Sequence, residues 1–191
     1  MKSHRAIKYI PNIFTLTNIS LGLASVLFLI QSEHQNKALV VPVLIFLGGV
    51  ADFFDGYFAR KLGASTNLGK NLDSFADIIT FGVAPIALIN YLSISEHSVF
   101  MMVASLIFIM AGAYRLARYN LKDFSSHFMG LPITAAGIML ALYSVTYPHW
   151  ATDISPIGCE IITTIIILLL SALMISKRSF KRPLILNKKA G

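Results

Sequence analysis

The sequence predicts an all-α membrane protein, a six-transmembrane-helix bundle with both termini cytoplasmic. Three observations lead there. The chain is 55% hydrophobic and only 13% charged, where a soluble domain carries about 25% charged residues, and its mean hydropathy is +0.70. Its uncharged stretches run from Tyr9 to Ser32, Ile78 to Ser95, His97 to Tyr114, Phe124 to Thr152 and Ile161 to Ser176. Each approaches or exceeds the length of about 17 to 25 residues that carries a helix across a bilayer. Fifteen of the 16 basic residues fall in alternate inter-span segments, the asymmetry expected when positive flanks stay in the cytoplasm.

Taken in order, the spans are expected near 10–31, 38–60, 72–93, 98–118, 129–147 and 157–176. Lys2, Arg5 and Lys8 precede the first, within a short basic flank, 1–9. Asn12, Asn18, several hydroxyl residues and its length separate that span from a secretory signal, and no small-x-small cleavage site follows it. The first loop holds only Lys37, and the second span ends on Arg60 and Lys61, with Lys70 beyond. The third loop has no basic residue, and the fourth span runs into Arg115, Arg118 and Lys122. The fifth loop again has none. A basic tail, 177–191, carries Lys177, Arg178, Lys181, Arg182, Lys188 and Lys189. With short loops, neighbouring helices pack as antiparallel partners in one membrane domain, 1–191. The net charge of +7 follows from topology and attraction to anionic lipid heads. No aromatic interleaving or recognition motif points to nucleic acid. Cys159, the single cysteine, excludes an internal disulfide and is expected to be a small buried residue.

Four of the nine acidic residues, Asp52, Asp55, Asp73 and Asp77, crowd into one stretch beside these apolar runs. Asp52 and Asp55 are three apart and Asp73 and Asp77 four apart, so each pair shares a helix face. The second span enters near Ala38 and rises roughly 21 Å before Asp52 at 1.5 Å per residue. With the third span starting near Leu72, Asp73 and Asp77 fall in its first two turns. Both pairs then sit at one depth near the inner head groups.

Ionised acids in a bilayer cost about 2.5 to 3.5 kcal/mol each even on lenient scales. Arg60, Lys61 and Lys70 are too few and too far toward the loop to neutralise them. Bound divalent cations would, and an oxygen-only ligand set suits Mg²⁺ or Mn²⁺. Two carboxylate pairs on facing helices can hold two ions, the arrangement that clamps attacking and leaving oxygens in phosphoryl chemistry. Gly56 and Ala59 lie on the acids' side of the second helix and permit close approach of a backbone or ligand.

Asp52-x2-Asp55-Gly56-x2-Ala59-Arg60-x8-Gly69-x3-Asp73-x3-Asp77 matches every fixed position of a known signature, and the chain resembles the CDP-alcohol phosphatidyltransferase family. "IPNIFTLTN" at 10–18, "LDSFADIITFGVAP" at 72–85, "RLARYN" at 115–120 and "GLPITAAG" at 130–137 look like its membrane-bound phosphatidylserine synthase branch. Thr80 stands where that branch has serine, and keeps the hydroxyl.

The resemblance implies transfer of the phosphatidyl group of CDP-diacylglycerol to L-serine with release of CMP. It implies metal ions on Asp52, Asp55, Asp73 and Asp77, with Asp77 also the general base, and a homodimer. It also implies contacts from Gly56, Arg60 and Thr66 to the CDP-lipid. The Arg60 fork can grip phosphate oxygens in bidentate fashion.

Arg115 and Arg118 share a face and either bind the acceptor or anchor the fourth span. Asn12 and Thr15 either reach the nucleotide or cap the first helix after Pro11. His127 is expected to be a surface residue. Two other readings stay open. One is a sister transferase taking glycerol 3-phosphate or an inositol phosphate, and the other a divalent-cation channel or transporter.

Overall fold

The computed structural model describes residues 10–31, 36–64, 66–93, 98–120, 128–176 and 179–180. Lys2, Arg5, Lys8, Lys122, His127 and the basic residues of 177–191 lie outside the described residues. Among the described residues six long helices make the fold: α1 (Ile10–Ile30), α2 (Lys37–Lys61), α3 (Asn67–Leu92), α4 (Val99–Asn120), α5 (Ile133–Trp150) and α6 (Pro156–Ile175).

All except α5 are long and apolar enough to cross a membrane. The expected fifth span begins four residues late, because Gly130 turns the chain at a positive φ of 78° and Pro132 caps the helix. Its far end carries Tyr147, Pro148, His149 and Trp150, residues suited to a membrane interface. That end lowers its hydropathy, so five of the six helices are apolar enough by composition alone, and α5 is the sixth helix of the bundle.

One departure from a purely helical chain is a two-residue antiparallel pairing of β1 (Phe128–Met129) with β2 (Ser179–Phe180). Leu131 N–H donates to the Leu173 carbonyl at 3.0 Å beside it. A side chain at Gly130 would collide with the Met174 carbonyl. The start of α5 is thus stitched to the end of α6.

α3 is the centre of the bundle. Of its most apolar stretch 56% is buried, against 28% to 39% for the other four spans. It begins at Asn67, five residues before the expected start, because Thr66 caps it by accepting from Gly69 N–H at 3.0 Å. Asp73 and Asp77 therefore lie almost two and three turns in at about 3.6 residues per turn, which corrects the expectation of the first two turns.

Immediately after Asp77 the helix widens into a π-helical stretch, Ile78–Val83, where Ala84 N–H bonds to the Ile79 carbonyl five residues back. Pro85 has no N–H to offer the Phe81 carbonyl. That carbonyl instead faces α5 at Gly137, where a Cβ would stand 2.5 Å from it. Inserted residues of this kind recur at functional sites.

The π stretch touches α1, α2, α4 and α5, while α1 packs along α2 and α4 along α6. Phe81, Phe108, Ile133, Leu140 and Ile45 fill the interior. Large apolar side chains such as Ile13, Phe100, Leu142 and Ile157 point outward, as lipid tails permit. Cys159 is buried, as expected.

Candidate active site

Asp52 and Asp55 project from α2 toward Asp73 and Asp77 on α3. One carboxylate oxygen from each of Asp52, Asp55 and Asp73 lies within 4.8 Å of the others. Asp77, 7% exposed, lies one turn beyond Asp73 on α3, within electrostatic reach of all three and in side-chain contact with Asp52. Two unit charges 4.8 Å apart, the outer limit for Asp52, Asp55 and Asp73, repel by about 3.5 kcal/mol at an effective dielectric constant of about 20.

The protein supplies little to relieve this. Thr15 Oγ1 donates to Asp55 Oδ2 at 2.9 Å, Arg60 interacts electrostatically with Asp55, and Arg115 with Asp77. Asp73 Oδ1 and Asp77 Oδ1 are buried with no hydrogen-bond donor. Orphaned carboxylate oxygens, an all-oxygen donor set and an uncompensated negative charge fit a hard divalent cation.

The remaining candidates gather at the same end. A Cβ on Gly56 would stand 3.4 Å from Arg60 Nη1, so the exposed Arg60 guanidinium folds back over the glycine. Ala59, half-buried, closes the end of α2 by accepting from Ala64 N–H at 3.0 Å. Asn12 and Thr66 meet at the start of α3, their side-chain oxygens 3.3 and 3.1 Å from where a Cβ on Gly69 would be. That glycine leaves room for both.

Thr15 neither caps α1 nor faces a loop. It lies inside the helix and holds Asp55 while also bonding the Pro11 carbonyl at 3.2 Å. Arg115 faces Asp77, and Arg118, half-buried, lies one turn further along α4.

Two contributors were not anticipated. Asn18 is 0% exposed, and Thr80 Oγ1 donates to its carbonyl at 3.0 Å. The signal available for Asn18 was a polar and small stripe, Thr15, Asn18 and Gly22, spaced three and four apart in an oily helix, while Thr80 stood out only as the hydroxyl residue before Phe81 and Gly82. Such a stripe faces the bundle interior.

A model of the CDP-alcohol phosphatidyltransferase family matches residues 8–177. The chain belongs to that family. Among relatives of this phosphatidyltransferase is a CDP-diacylglycerol–serine O-phosphatidyltransferase of Bacillus subtilis, 35% identical over 173 residues, covering 90% of this chain and 89% of the relative. Another of the same name, from Methanocaldococcus jannaschii, is 34% identical, with 92% and 75% covered. An archaetidylserine synthase of Methanothermobacter thermautotrophicus is 32% identical, with 91% and 70% covered. Its lipid is named differently while serine recurs in the name. The expected family membership is therefore shown across nearly the whole chain.

Proposed function

We propose that this phosphatidyltransferase joins the phosphatidyl group of CDP-diacylglycerol to L-serine, giving phosphatidylserine and CMP. The observation that carries the reading is the meeting of four carboxylates from two facing helices beside an arginine folded over a glycine. The serine named in the relatives supports the choice of acceptor.

Asp77 takes the proton of the serine hydroxyl as its oxygen attacks the phosphorus that bears diacylglycerol. The bond from that phosphorus to the CMP oxygen breaks, and the electron pair leaves with CMP. Asp77 suits the base because it lies beside the other carboxylates and opposite Arg115. Arg60 swings from Gly56 to grip the pyrophosphate, and its planar fork matches two phosphate oxygens at once. The small surface of Gly56 and Ala59 lets the pyrophosphate approach α2. Asn12 and Thr66 face the nucleotide from the start of α3. Arg115, with Arg118 a turn beyond, receives the acceptor carboxylate.

Asp52, Asp55, Asp73 and Asp77 would hold Mg²⁺ or Mn²⁺, which when bound disperse the charge that develops on the leaving phosphate. Two guanidiniums against four carboxylates leave a deficit equal to one divalent cation. The substrate pyrophosphate brings the negative charge that accommodates a second. In this reading residues 1–191 are one domain of the cytoplasmic membrane, with termini and active site toward the cytoplasm, acting as a homodimer.

The test is CMP release from CDP-diacylglycerol with serine, glycerol 3-phosphate and inositol phosphate supplied in turn. Release with serine alone is expected. Release with a phosphorylated acceptor and none with serine transfers the assignment to a sister reaction.

A further inference from the structure

Asn18 is the least comfortable polar residue in the bundle. Its side chain is wholly buried, and neither Nδ2 nor Oδ1 has a hydrogen-bond partner. Burying an unpaired amide is expensive, and an apolar residue of the same size would avoid that penalty.

The carboxamide also packs close against α2 at Gly48. Its Oδ1 lies 3.0 Å from where a Cβ on Gly48 would stand, and the Thr80 methyl lies 2.6 Å from the same point. The Asn18 backbone is tied to Thr80 by the 3.0 Å bond from Oγ1.

Gly48 is four residues before Asp52 on α2, and Thr80 three residues after Asp77 on α3. Asn18 therefore lies about one helical turn beneath the carboxylates, on the side away from the loops. Asp77 has the complementary defect, a buried Oδ1 with no donor. An orphan donor and an orphan acceptor thus stand about a turn apart in one interior. That gap is within reach of a side-chain rotation or one enclosed water.

We propose that Asn18 is a positioning residue for Asp77: its carboxamide donates, directly or through one enclosed water, to the inner oxygen of that carboxylate. The bond turns the outer oxygen of Asp77 toward the cation and the acceptor hydroxyl. Partners that orient metal-binding side chains in this way typically change metal affinity by 10- to 100-fold when removed. The inference rests on the reading that the four carboxylates hold divalent cations.

The experiment is a Mn²⁺ titration followed by electron paramagnetic resonance, with the full chain in lipid nanodiscs and no nucleotide lipid present. Wild type and Asn18→Leu are compared, and each is also melted in chelator. The expected result is Mn²⁺ binding about 10- to 100-fold weaker in the variant, with a metal-free melting temperature unchanged or raised. Equal Mn²⁺ affinity in the two proteins overturns the role of Asn18 and leaves the cation reading standing. Absence of Mn²⁺ binding to wild type overturns both. Should Asn18→Leu fail to fold, Asn18→Ser and Asn18→Ala replace it: tighter binding by the serine variant supports the proposal, and equal binding overturns it.

Discussion

Lys37 and Asp77 are both nearly withdrawn from solvent, 2% and 7% exposed, at opposite ends of the bundle. Lys37 opens α2 and finds partners on two other helices. Its Nζ donates to the Leu29 carbonyl at the end of α1 at 2.8 Å and lies 4.7 Å from the centre of the Tyr91 ring near the end of α3. The carbonyl end of a helix attracts a cation, and the ring face adds to that attraction. One ammonium thereby ties three helix ends together.

Asp77 sits among three like charges and keeps a buried oxygen without a donor. The first arrangement is complete within the protein and is structural. The second is left incomplete by the protein, and in the proposed reading a cation completes it.

The two ends should respond oppositely to substitution. Asp77→Asn keeps the shape and removes the proposed base. CMP release should fall about 10²- to 10⁴-fold, while thermal melting without metal stays level or rises as one repulsive charge disappears. Lys37→Met should do the reverse. Losing a charged hydrogen bond costs about 1.5 to 3 kcal/mol of stability, read as a lower melting temperature, while KM and metal dependence remain those of wild type. Loss of activity in the folded Lys37 variant would erase the distinction between the ends.

Thr15→Val sharpens the comparison within the acidic end. It removes the donor to Asp55 and should weaken Mn²⁺ binding by a factor of roughly ten, the worth of about 1.4 kcal/mol, near the upper range for one hydrogen bond. Thr80→Ser should have the smallest effect. It retains the hydroxyl that reaches Asn18 and removes only a methyl beside Gly48, a change within about 1 kcal/mol by thermal melting and nearly silent in CMP release.

How much of this was legible in the sequence depends on the distance over which each contact acts. The spans follow from composition, and the two acid pairs from spacings of three and four residues, both local properties. The early start of α3 was hidden because Thr66 to Leu72 reads as a polar loop, whereas it forms a strongly one-sided helix capped by Thr66. The π stretch after Asp77 goes with a missing Pro85 N–H and a Phe81 carbonyl that faces Gly137 on another helix, which no single segment reveals. Thr15 to Asp55 and Thr80 to Asn18 join residues 40 and 62 positions apart. Their polar types could be read beforehand, but their partners could not. The late start and far end of α5 were hidden because absence of charge concealed the Gly130 turn and the aromatic, proline-bearing last turns.

The most direct test of the proposed cation site is CMP release from CDP-diacylglycerol and serine after exhaustive chelation, with Mn²⁺ or Mg²⁺ then titrated back. Activity should vanish with chelator and return with either ion. In Asp52→Asn the return should require a higher ion concentration. Turnover that persists unchanged in chelator would contradict the role assigned to Asp52, Asp55, Asp73 and Asp77.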